Sequence, residues 1–256
     1  MTSSDPAAPT PADILRPALW LWIGVELARG LLAQAHALLP PDPAESAWAA
    51  WLLHGVNELV FAILVLAFVL PDREARSIWV PVGRRVVEQC VVVGGCATAL
   101  LVAWQQLLSG PWSWFRHGAQ LPLWAELVYV AVFAAVLEEL MYRGLLLQRL
   151  RRVLPLGVAL ATQAMLFAVA HLDTVTMLPK FFFGVATGYL RVVAGGLWPC
   201  VLMHLGWNTF YVLLDRGLVC SGPSAERRAA RPRPTATGGR RSARPRRGRR
   251  ARRARR

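Results

Sequence analysis

The sequence predicts an all-α, polytopic membrane protein, and three observations carry that prediction. Hydrophobic residues make up 55% of the 256, more apolar material than one soluble core of this size needs. That material is gathered into about seven runs, each near the length of about 20 residues that a membrane-crossing helix requires. Tryptophans gather near the run ends, at Trp20, Trp22, Trp48, Trp51, Trp112, Trp114, Trp124 and Trp198, as an interfacial belt would.

The runs span Pro17–Leu39, Ala47–Leu70, Val86–Leu108, Trp124–Leu147, Leu156–His171, Met177–Ala194 and Trp198–Leu218. Turn-forming and charged stretches separate them: PPDPAES, PDREARS, SGPWSWFRHG and RLRRVLP. Residues 1–16 form a short polar segment, proline-rich and acidic rather than basic, so they do not read as a cleaved leader. Residues 17–219 form the helical body and residues 220–256 the tail, and the span count is seven, or eight if one is hidden.

Charge says little about the body. From Pro223 to Arg256 there are fifteen arginines against one acid, Glu226, so the formal charge of +14 resides there. The 14 basic side chains before Pro223 are matched by 14 acidic ones. The tail has too little apolar material to pack and is expected to be disordered, with anionic lipid as its natural contact and nucleic acid not expected as a partner. Arg73, Arg76, Arg84 and Arg85 in one loop and Arg149, Arg151 and Arg152 in another, against only Arg116 in the loop at 109–123, place the N-terminus and those two loops in the cytoplasm. Cys90, Cys96, Cys200 and Cys220 lack metal-ligand spacing and read as packing residues.

Ionisable side chains inside apolar helices are costly and point to function. Glu138 and Glu139 sit near the middle of the fourth run, with Arg143 following. Neighbouring helical residues diverge by about 100°, so the two carboxylates must serve different roles. Glu139 and Arg143, at i and i+4, share a face and can pair; Glu138 is left without a local partner, as a general base needs to be. Phe167 and His171 are again i and i+4, and so are His204 and Asn208, a spacing that puts both polar groups of the last pair about 6 Å apart along one face. Glu26 and Arg29 are expected to pair with each other, and His54, Asn57 and Glu58 to hydrogen-bond between helices. Gly184 and Gly188 form a GxxxG suited to close helix packing, and Lys180 and Arg191, which bracket that segment, can extend outward.

The order Glu138-Glu139-x-x-x-Arg143, Phe167-x-x-x-His171 and His204-x-x-x-Asn208, each on its own apolar run, resembles the CAAX protease and bacteriocin-processing (CPBP, Abi-type) family of intramembrane proteases. The motifs fall within residues 124–210. The resemblance implies a helical fold around a buried catalytic cavity, and an endopeptidase that hydrolyses a membrane-associated or lipidated peptide in a bacterial plasma membrane. In that scheme Glu138 and His171 activate a water, Glu138 as general base. His204 and Asn208 bind the oxyanion, and Glu139 with Arg143 steadies the site. Two accounts of the cofactor stay open: none, or a divalent metal such as zinc, for which Glu138, His171 and His204 would be an acceptable ligand set. A silent relative acting in bacteriocin immunity or as a scaffold is the alternative to catalysis. Relatives commonly continue with a further apolar helix after the His/Asn run, whereas here CSGPSAERR leads into the arginine tail.

Overall fold

The computed structural model describes residues 8–38, 43–72, 80–81, 83–109, 122–171, 176–216 and 218. Met1–Cys220 form one compact unit. The tail from Ser221 onward, Arg73, Arg76, Arg116, Trp112, Trp114 and Cys220 lie outside the described residues, and the side chains of Trp48, Trp51 and His54 lie outside the described side chains.

The expected all-α class holds: every regular element among the described residues is helical. The helices are α1 Pro11–Ala37, α2 Pro43–Val69 and α3 Arg84–Ser109. A continuous helical stretch follows, made of α4 Leu123–Glu126, the π-helical π1 Leu127–Phe133, α5 Ala134–Glu139, the π-helical π2 Leu140–Leu146 and α6 Leu147–Arg151. After it come α7 Leu156–Val169, α8 Met177–Ala194 and α9 Trp198–Asp215. All seven apolar runs thus fold as helix.

Two boundaries move for identifiable reasons. Helix α1 starts inside the short polar N-terminal segment because Thr10 and Asp13 cap it reciprocally. The Asp13 N–H donates to Thr10 Oγ1 at 3.3 Å, while Thr10 N–H and Oγ1 donate to Asp13 Oδ2 at 3.2 and 2.7 Å. Pro11 occupies the first helical position, where its missing N–H costs nothing. The fourth run extends to Arg151, where Arg149 pairs with Asp72 after the end of α2. Helix α8 stops at Gly195, whose φ of 68° is the left-handed conformation that glycine adopts without a Cβ penalty.

The seven expected runs are present as helices, and among the described residues no helix is long and apolar enough to cross a membrane. Polar residues interrupt the later runs. Helix α8 carries Lys180 and Arg191, α9 carries His204, Asn208 and Asp215, and the fourth run is divided into α and π pieces of four to seven residues.

The GxxxG reading is borne out at atomic distance. A Cβ on Gly184 would stand 2.9 Å from both Cα and Cβ of Ala164, and one on Gly188 would stand 2.8 Å from Leu160 Cδ2 and 3.1 Å from Gln163 Nε2. Helices α7 and α8 therefore meet backbone to side chain, sealed by Gln163 Nε2 donating to the Gly184 carbonyl at 2.7 Å. Arg191 departs from its expected outward course, since it is buried. Gly184→Ala is expected to lower the thermal unfolding midpoint of the detergent-purified protein, an overpacking cost of about 1–3 kcal/mol. Gly24→Ala, where a Cβ meets nothing within 4 Å, is expected to leave the midpoint in place, and equal midpoints for the two variants would contradict the packing.

Candidate active site

The three motif helices bring their polar residues to one place. Glu138 and Glu139 close α5, between the two π-helical segments. A π turn holds an extra residue, and such turns recur at functional sites. The Ala134 N–H at the end of π1 reaches back five residues to the Tyr129 carbonyl, and the next carbonyl in line, that of Val130, accepts Asn208 Nδ2 at 2.8 Å. The widened turn thus anchors α9 alongside the glutamate pair. An amide nitrogen has two hydrogens, so Asn208 keeps one for another acceptor.

Glu139 is fully buried, and its Oε1 accepts both Arg143 Nη1 at 2.8 Å and His204 Nδ1 at 2.8 Å. The i, i+4 pairing with Arg143 is as expected. The contact with His204 gives Glu139 a second partner on α9, and through it the carboxylate fixes the orientation of that ring. Because a carboxylate only accepts, Nδ1 of His204 carries a proton and Nε2 is the outward nitrogen.

Glu138 is not without a partner. Arg29, on α1, donates from Nη2 to Glu138 Oε1 at 2.9 Å, while its distance to the expected partner Glu26 is 3.9 Å. The other oxygen, Oε2, stands 3.7 Å from His204 Nε2, beyond a direct hydrogen bond. His171 donates from Nδ1 to the Phe167 carbonyl at 2.8 Å, which leaves its Nε2 as the free nitrogen.

Glu138, His171, His204 and Asn208 line one cavity of about 210 Å³, together with Val130, Phe167, Phe183 and Trp207. Glu126, itself tied to Arg216 at 2.5 and 2.8 Å, lines it as well, along with Lys180. Phe167 is the hub of its wall. Its ring makes edge contacts with Tyr142 at 5.2 Å, His171 at 4.8 Å and His204 at 5.9 Å, and the Arg143 guanidinium lies 4.6 Å from its centroid.

Residues 120–210 match the family model of the Rce1-like type II CAAX prenyl endopeptidases. This agrees with the family resemblance carried by Glu138, Glu139, Arg143, Phe167, His171, His204 and Asn208. No curated protein and no solved structure matches the chain significantly. The matched residues contain every member of the cavity named above and exclude α1, α2 and α3.

The side chains that would serve a metal do not form a ligand set. Among the described residues, no group of three or more His, Cys, Asp and Glu is placed to hold a metal ion.

Reading the sequence alone missed Arg29, because a plausible partner three residues away, Glu26, masked a contact across 109 residues. It also missed Tyr142, which accepts from Trp22 Nε1 at 3.2 Å and donates to Glu26 at 3.4 Å, so that Trp22 belongs to this network. Glu139→Ala would leave Arg143 charged and alone where it is wholly buried, and is expected to cost about 3–5 kcal/mol of stability. A thermal melt of that variant matching the wild type would contradict the arrangement.

Proposed function

We propose that the protein is an intramembrane endopeptidase of CAAX-protease type that cuts a membrane-associated or lipidated peptide by glutamate-activated water. The single observation that carries the reading is that Glu138, His171, His204 and Asn208 line one cavity. A proton relay has no use for a separate His and Asn pair with hydrogens to give. A silent scaffold has no use for a carboxylate oxygen and an imidazole nitrogen left without hydrogen bonds inside a cavity.

In this reading a water sits between Glu138 Oε2 and His171 Nε2. Its oxygen attacks the peptide carbonyl carbon while Glu138 takes its proton. The carbonyl oxygen gains negative charge and is met by the spare Asn208 N–H and by His204 Nε2. For His204 to donate there while Nδ1 donates to Glu139, the ring must hold both protons, and the Glu139 carboxylate is its counter-charge. Glu138 then passes its proton to the leaving nitrogen, the C–N bond breaks, and a carboxylic acid and an amine are released, the acid giving up its remaining proton to water or to the amine.

Membrane residence is supported by the outer surface. Leu27, Leu31, Leu59, Ile63, Val91 and Leu100 are large apolar side chains exposed on α1, α2 and α3, a surface suited to hydrocarbon and not to water. The protein is expected to stay with the membrane pellet after alkaline carbonate extraction; release into the supernatant would contradict that placement.

The catalytic reading is tested by comparing membrane peptides from cells carrying the wild type, Glu138→Gln or His171→Ala. At least one product is expected with the wild type and absent with both variants, while both remain folded and membrane-bound. Undiminished cleavage by either variant would overturn the mechanism.

A further inference from the structure

Every residue with a role in the mechanism so far lies within the matched segment, yet the oxygen that must take the proton is oriented from outside it. Glu138 has three rotatable side-chain bonds and two equivalent oxygens. In this structure those oxygens are not equivalent: Oε1 accepts from Arg29 at 2.9 Å, and Oε2 is the one turned toward His204, 3.7 Å away.

Arg29 is itself held on several sides. Its guanidinium lies 4.4 Å from the Phe61 ring centroid on α2, close enough for a cation–π contact. Its Nη1 stands 3.9 Å from Glu26 Oε1. Glu26 in turn accepts from the Tyr142 hydroxyl at 3.4 Å, which accepts from Trp22 at 3.2 Å. Tyr142 lies in π2, just past the glutamate pair. The arginine is thus fixed by α1, α2 and the widened turn before it reaches Glu138. A planar fork fixed in this way sets the carboxylate plane, which a lysine, a point charge on a flexible stem, does less well.

We propose that Arg29 is a positioning residue for Glu138, clamping Oε1 so that Oε2 faces the water and the scissile carbonyl, and that α1 is therefore part of the catalytic apparatus. The inference rests on the proteolytic reading above. Arg29 touches neither the water nor the peptide in that scheme, so its loss acts on geometry alone.

The test uses membranes containing the full-length chain and, as probe, the peptide whose cleavage disappears with Glu138→Gln. Initial rates are measured against peptide concentration for the wild type, Arg29→Met and Arg29→Lys. A misplaced reacting group costs about 10²-fold. Arg29→Met is therefore expected to lose about that factor in kcat with KM nearly unchanged, and Arg29→Lys to recover part of it. A merely structural arginine would lower the amount of folded protein, and not the kcat of what remains.

Should Arg29→Met fold poorly, Arg29→Lys alone still decides, because it keeps the charge and loses the planar fork. Full kcat in Arg29→Met, or in Arg29→Lys where Arg29→Met does not fold, would overturn the inference while leaving the protease reading intact. No cleavage by the wild type would overturn both. A thermal double-mutant cycle of Arg29→Met and Glu138→Gln separates the contact from the chemistry. A double variant whose midpoint falls by less than the sum of the singles supports the pair, and strict additivity overturns it.

Discussion

One carboxylate oxygen, Glu139 Oε1, receives a hydrogen bond from Arg143 one turn along its own helix and another from His204 on α9. All three side chains are buried. A charge withdrawn from solvent is tolerable only with opposite charge and hydrogen bonds around it, so removing Glu139 strands Arg143 and releases the His204 ring. This constraint sets the distance between α5 and α9, and with it the width of the cavity. Phe167 fills the remaining space, presenting its face to the Arg143 guanidinium and its surroundings to both histidines. The backbone carbonyl of Phe167 sets the His171 tautomer, and its ring packs against the polar cluster.

What could be read from the sequence was whatever a single helix dictates. The Glu139–Arg143 pair, the shared face of His204 and Asn208, and the glycines at 184 and 188 each follow from a fixed spacing on a regular helix, and the structure holds all of them. Contacts between helices followed no such rule. Arg29 keeps the expected pairing with Glu26 three residues away at 3.9 Å, and helix packing adds a shorter contact with Glu138 at 2.9 Å that no local spacing announces. The i, i+4 spacing of His204 and Asn208 carries no sign of the His204 Nδ1 contact with Glu139, which spans two helices. Helix ends were legible only where apolar content marked them, so the cap made by Thr10 and Asp13 went unread.

The π-helical turns were the least legible feature, since apolar spacing over seven residues does not separate 3.6 residues per turn from a wider turn. They matter for the site more than any boundary. By widening the helix on both sides of Glu138 and Glu139, they shift the register of the flanking faces. The N-terminal one exposes the Val130 carbonyl to Asn208, and the C-terminal one carries Tyr142 toward Glu26 and Trp22. One helix can in this way hand its two adjacent glutamates to different neighbours, α1 on one side and α9 on the other.

The equality of 14 basic and 14 acidic side chains ahead of the arginine tail acquires a physical meaning from these contacts. Glu138 is met by Arg29, Glu139 by Arg143, Glu126 by Arg216 and Asp72 by Arg149. Each pair joins two helices or two turns of one, and each cancels its own charge where it stands. An apolar protein can keep ionised groups inside only on those terms. Glu138, Glu139, Glu126 and Asp72 are each held beside an arginine in this way, and the cavity keeps a carboxylate oxygen and two imidazole nitrogens that these pairs do not engage.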